Sequence, residues 1–256
     1  MRSILAIVAT CLFIPCITTI ETFANEAQKS NSANQKGSST KTQTNDNEET
    51  LDFSSTGRPG QQTAGESRGN CSDVTDSLRA IVPVSNSGKT TTGYPSFWFY
   101  VPYTFGQVSK VEFVVQNEAR EDILRSPVKI KETPGYTSFS LPKTESPLKV
   151  GEWYRWYVKV YCDSQLASSR FVQGWVNRVP VDSNLYLELQ NPTRQSYLIY
   201  GSHGIWYDAV NQLLSLYTLE PSSMTLEQDW KNFTRAKGVN LQELPDFGTA
   251  LKATSN

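Results

Sequence analysis

Short apolar runs separated by turn-forming residues fill the middle of the chain, at 78–82, 97–101, 108–115, 136–141, 153–162 and 171–179. Between them lie Ser-Asn-Ser-Gly, Thr-Pro-Gly, Pro-Lys-Thr-Glu-Ser-Pro and Asp-Ser. Strands spaced this closely, with turn signals between them, predict an antiparallel sandwich and not βαβ units. The run 153–162 shows two faces. Tyr154, Trp156, Val158, Val160 and Cys162 share one parity and form a core face. Trp153, Arg155, Tyr157, Lys159 and Tyr161 share the other, where aromatic and cationic side chains alternate. Val111, Phe113 and Val115 make a second inward set, opposite Lys110 and Glu112.

After Pro180 the period changes to that of helices. Asn191-Pro192 supplies a cap and a first-turn proline before Tyr197, Leu198 and Tyr200, with Gly201 as a stop. Trp206, Val210, Leu213 and Tyr217 recur at helical spacing until Glu220-Pro221. Thr225-Leu-Glu-Gln228 has the form of a capping box ahead of Leu226, Trp230 and Phe233. Two to four short helices are therefore expected, packed on the sandwich because so few residues rarely hold a core alone.

The N-terminus is different again. Met1-Arg2-Ser3 precedes an apolar run at 4–20 and a small-residue exit at Thr22-Phe23-Ala24, the pattern of a secretory signal cleaved after Ala24. A retained anchor is the competing reading, but Pro15 and several threonines make the run marginal for a membrane span. Residues 25–56 are almost wholly polar, with Ala27, Ala33, Leu51 and Phe53 the apolar exceptions, and read as a disordered tether. Residues 57–70 are a glycine-rich lead-in.

Charge and composition narrow the chemistry. Lys plus Arg number 24 and Asp plus Glu 25, leaving a net charge of −1 and no basic excess for nucleic acid. A single His excludes a multi-histidine metal site. That residue, His203, has neither Ser202 nor Asp208 in a recognisable catalytic motif. Ser87-Gly88-Lys89-Thr90 resembles the end of a phosphate-binding loop, but Pro83 stands where the motif requires glycine, so the segment reads as a hairpin loop. Glu118, Glu121, Asp122, Asp208 and Asp229 offer carboxylates for a glycosidase-like pair, and nothing selects two of them. No catalytic residue, cofactor site or metal site is expected. Once the leader is removed, Cys71 and Cys162 remain, an even pair most simply joined as a disulfide in an exported chain.

The positive signal is aromatic. All 6 Trp and 12 Tyr fall between positions 94 and 230. Exposed rings interleaved with Arg and Lys suit sugar faces or peptide side chains. A sheet face covered by the C-terminal helices would look the same, so both readings of Trp153, Tyr157 and Tyr161 stay open.

Several segments carry a family likeness. They are Gly57-Arg-Pro-Gly60, Gly65-Glu-Ser-Arg-Gly69 with Cys71, and Pro95-Ser-Phe-Trp-Phe-Tyr-Val-Pro-Tyr103. Pro134-Gly135, Pro147-Leu-Lys-Val-Gly-Glu-Trp-Tyr-Arg-Trp156, Cys162-Asp163, Gly174-Trp-Val-Asn-Arg178 and Gly204-Ile-Trp-Tyr-Asp208 follow. In order and spacing they resemble a cyanobacterial family known as domain of unknown function 928, from about 57 to 244. Gly60-Gln61-Gln62 departs from the more basic lead-in of that family, which weakens any charge-dependent role there. The resemblance implies an exported protein and brings no activity.

The expectation is thus a mostly β protein with α. An immunoglobulin/fibronectin-like antiparallel β-sandwich occupies 71–180, and a short helical region packed on it occupies 181–256. The expected role is a non-enzymatic module of the periplasm, cell envelope or medium. It would bind an envelope polysaccharide or another exported protein through Trp153, Arg155, Tyr157, Lys159 and Tyr161, with no nucleic acid partner and no membrane span after cleavage. The alternatives are a structural envelope component without a ligand, or a carboxylate-based enzyme acting on glycans.

Overall fold

The computed structural model describes residues 51–54, 65–66, 71, 76–166, 169–191 and 195–248. The signal segment and most of the expected tether and lead-in lie outside these residues. In chain order the strands are β1 (Gly65–Glu66), β2 (Arg79–Ala80), β3 (Ser87–Thr90), β4 (Ser96–Val101), β5 (Lys110–Gln116), β6 (Asp122–Pro127), β7 (Gly135–Ser140), β8 (Trp153–Tyr161) and β9 (Ser169–Arg178). The helices are α1 (Ser183–Leu189), α2 (Ser196–Ser202), α3 (Trp206–Leu219) and α4 (Met224–Arg235).

The protein is mostly β, with two sheets and four helices among the described residues. The larger sheet runs β1-β9-β8-β5-β6, and β3 shares the far edge of β9 with β1. The smaller runs β2-β4-β7. Alternation in β8 is strict: Tyr154, Trp156, Val158 and Val160 are buried, and every residue between them is half-buried. Phe97 of β4 and Phe113 of β5 meet the Trp156 ring at 5.3 and 5.7 Å between centroids. Phe139 of β7 stacks on Phe113 at 4.4 Å. Gly174 of β9 faces Trp156, and a Cβ there would lie 2.7 Å from the indole, so this inward position requires glycine.

Helix α3 buries Trp206, Ala209, Val210, Leu213, Leu214 and Tyr217, the one-sided repeat its sequence carries. Pro221 stands just beyond its end, where the helix cannot continue. The Trp206 indole donates to Ile81 O at 3.0 Å, and Tyr207 takes the Trp156 indole N–H at 2.7 Å. Helix α4 is capped two residues earlier than expected: Ser223, not Thr225, accepts the Leu226 N–H at 3.4 Å. Helix α2 starts at Ser196, and the proline expected in its first turn lies outside the described residues. Helix α1, with Asp182 accepting from Leu185 N, adds a turn that the apolar period did not announce.

Two expectations are corrected. Ser87–Thr90 is not a hairpin loop but β3, parallel to β9. Its polarity hides a strand because α3 covers it: a Cβ on Gly88 would sit 3.0 Å from Trp206 Cβ. The tether expected over 25–56 does not hold at 51–54. Phe53 is 2% exposed and packs edge-on to Trp206 at 4.8 Å, while Phe53 N donates to Lys237 O. One ring buried among core aromatics gains more from burial than its polar neighbours lose by ordering. The lead-in contributes a strand at Gly65–Glu66, antiparallel to β9.

Candidate functional site

Register places the stripe of β8 in the centre of a wider face. Tyr157 stands opposite Gln173, Lys159 opposite Phe171 and Arg155 opposite Trp175 on β9. On the other side Tyr161 pairs with Lys110, Lys159 with Glu112 and Arg155 with Gln116 on β5. The Arg155 guanidinium lies 4.6 Å from the Tyr157 ring centroid and 5.7 Å from that of Trp175. It is aimed there by Gln173 Oε1, which accepts from both Nε and Nη2 of Arg155. Lys159 Nζ sits 5.9 Å from the same Tyr157 ring, and Phe171 meets that ring edge-on at 6.0 Å. Trp153, Arg155, Tyr157, Lys159 and Tyr161 are all half-buried. Tyr207 of α3 reaches β8 at Trp156, on the opposite face.

One carboxylate organises the lower part of this face. Glu112 is 5% exposed and bonded by Lys110 Nζ at 2.5 Å, Arg125 Nη1 at 2.9 Å and the Tyr161 hydroxyl at 2.9 Å. Burial alone pushes its carboxyl up, but these donors together outweigh it and hold it below the usual range. Arg125 also reaches Asp122 at 2.8 Å. The face therefore carries Lys110, Arg125, Arg155 and Lys159 against Glu112 and Asp122. Trp175, Phe171 and Gln173 were missed in the sequence because β9 was not registered on β8. The signal was present, since Phe171, Gln173 and Trp175 share one parity.

A second concavity lies where the β3–β4 loop meets α2 and α3. It is a cleft of about 300 Å³ whose lining includes Thr91, Tyr94, Tyr200, Asp208, Asn211 and Gln212. Asp208 accepts from Thr91 N at 3.1 Å and from Thr91 Oγ1 at 2.8 Å. Burial raises its carboxyl above the usual range even so, and burial together with Asp208 raises the Tyr200 phenol.

The remaining sequence candidates are dispersed. His203 Nε2 lies 3.0 Å from Glu188 Oε1, and Ser202 Oγ donates to Ile199 O, so the two are not directed at one another. Asp229 accepts from the Tyr197 hydroxyl at 2.5 Å, and Glu121 from Asn117 Nδ2 at 2.8 Å. Among the described residues no second carboxylate lines the Asp208 cleft. Among the described residues no group of three His, Cys, Asp or Glu is placed to hold a metal ion. None of their helices is long and apolar enough to cross a membrane. Cys71 and Cys162 form a disulfide, with Cα atoms 4.9 Å apart, tying the start of the fold to the end of β8.

The family model described as Domain of Unknown Function (DUF928) matches residues 63–246, and the chain belongs to that family. No curated protein matches it. Among solved structures, truncated FlgD from the human pathogen Helicobacter pylori, monoclinic form, is 15% identical over 40% of this chain and 68% of that one, with a TM-score of 0.27. A second FlgD structure, from strain 26695, is 14% identical over 41% and 70%, with a TM-score of 0.26. Likeness at that level carries no argument about this protein.

Proposed function

We propose that this DUF928 protein is an exported, non-enzymatic binding module that holds an acidic polysaccharide of the cell envelope on the outer face of its larger sheet. The observation that carries the reading is the half-buried array in which Arg155 lies over Tyr157 and Trp175 beside Lys159. Flat rings suit sugar faces, and pre-aimed cations suit carboxylate or sulfate groups. Four cations against two carboxylates favour an anion. The two sheets are read as an immunoglobulin/fibronectin-like sandwich with the helical region packed on it. Export is read from the apolar leader, with cleavage after Ala24, and suits a disulfide-bonded chain.

The test is binding of the purified protein to alginate and to dextran sulfate, with neutral dextran as control, for wild type and for Trp153→Ala/Tyr157→Ala. Loss of stacked anchors should weaken binding roughly thirtyfold. Added salt should weaken it further. Undiminished binding by the double variant removes this face from the account. If instead cross-linking captures an exported protein that the double variant loses, the face is retained and its ligand becomes a protein.

A further inference from the structure

We infer that the cleft between the β3–β4 loop and helices α2 and α3 is a separate binding site for one neutral sugar ring. It does not depend on the role proposed for the sheet face. The polar groups of the cleft are already partly occupied. Asn211 Oδ1 accepts from the Trp98 indole N–H at 3.2 Å, and Gln212 Oε1 accepts from Ser196 Oγ at 2.5 Å. Both amides are thereby fixed in orientation, and both keep their NH₂ donors for another partner. Asp208 takes the N–H and the hydroxyl of Thr91 and a further hydroxyl from Thr90, which leaves part of the roughly four acceptor positions of a carboxylate open. Two oriented donors beside an oriented acceptor match neighbouring hydroxyls, which donate and accept at once.

Shape and charge point the same way. Tyr94, Pro95 and Tyr200 supply flat walls for the apolar face of a ring. At about 300 Å³ the cleft stands at the small end of the range for small-molecule sites. Among the described residues no Lys or Arg lines it, so an anionic sugar would meet Asp208 without a compensating cation from them. This site and the cationic sheet face thus select opposite kinds of saccharide.

The experiment is saturation-transfer NMR with titration of the purified protein by glucose, galactose and N-acetylglucosamine, with glucuronate as the charged control. At least one neutral sugar should bind saturably, and glucuronate at least tenfold more weakly. Gln212→Glu and Asn211→Asp keep the oxygen that serves Ser196 or Trp98 but remove the NH₂ donors. Each should fall at least tenfold in affinity with its thermal melt unchanged, while Trp153→Ala/Tyr157→Ala binds as wild type. Three neutral sugars without saturable binding, glucuronate binding as well as they do, or full affinity in both cleft variants would each overturn the inference. Loss confined to the sheet-face variant would move the sugar to that face, and likewise overturn it.

Discussion

On one side of β8, Tyr154, Trp156, Val158 and Val160 are at most 4% exposed, while on the other Trp153, Arg155, Tyr157, Lys159 and Tyr161 are all half-buried. Both sides are rich in rings, so aromatic content does not separate them. Their partners do. The inner rings touch other rings, as Trp156 does with Phe97 and Phe113. On the outer face Tyr157 has a ring neighbour too, Phe171, but adds the cations of Arg155 and Lys159. An aromatic side chain that neighbours a guanidinium keeps a polar environment and an open edge. The inner face should therefore carry the stability of the sheet, and the outer face should be replaceable at little cost to folding.

The largest effect should come from Trp156→Ala. It removes a fully buried indole, two ring contacts and the hydrogen bond to Tyr207, and should cost about 4–5 kcal/mol in chemical denaturation. Tyr157→Ala, one residue along on the other face, should cost less than about 1.5 kcal/mol. Equal losses would abolish the distinction between the faces. Next comes the disulfide, whose cysteines are separated by 91 positions in sequence. Cys71→Ser/Cys162→Ser should lose about 2–4 kcal/mol, somewhat below the chain-entropy limit of about 4–5 kcal/mol. A denaturation midpoint shared with wild type would show that the bridge constrains nothing.

Much of this was legible beforehand, and the rest fails for identifiable reasons. Parity found the inner set of β8 and β5, helical spacing found α3, and cysteine arithmetic found the bridge. Strand β6, Asp-Ile-Leu-Arg-Ser-Pro, buries Leu124 alone and so shows no alternation to read. Strand β3 is polar because its cover comes from Trp206 and Tyr207, far along the chain. Phe53 sits in a polar stretch and finds its partners in α3 and α4. Of the candidate face, the sequence offered the five residues of β8. Its true width depends on register with β9 and β5, which no local pattern encodes.

Two carboxylates sharpen the comparison through pH. Glu112, on the outer face, is held below its ordinary value of 4.5 by Lys110, Tyr161 and Arg125 acting against burial. A depressed carboxyl contributes stability that is complete above its unfolded value and lost as pH falls below about 4.5. Asp208, in the cleft, is raised above 3.8 by burial and behaves in the opposite sense: the folded state binds its proton more tightly, so stability declines as pH rises through the raised value. Stability measured from pH 3 to 7 should thus lose part of its acid limb in Glu112→Gln, and the limb should steepen in Asp208→Asn. The same sign of change in both variants would contradict the environments described for them.

The smallest effect on folding, and the most telling for the outer face, belongs to Arg155→Lys. The charge is kept. What goes is the planar group that lies over Tyr157 and Trp175 and the paired donation to Gln173. Cation–ring contacts at open sites contribute about 0.5–1 kcal/mol, so unfolding should change by no more than that. Binding should respond more strongly, because a lysine cannot reproduce the flat, bidentate presentation that an acidic sugar would meet. Alginate affinity should fall several-fold at constant net charge, with the salt dependence retained. If Arg155→Lys unfolds the protein as Trp156→Ala does, the guanidinium is a structural clamp and the outer face belongs to the core. If affinity holds while folding is untouched, charge alone recruits the polysaccharide, and the ring-and-guanidinium geometry has no part in recognition.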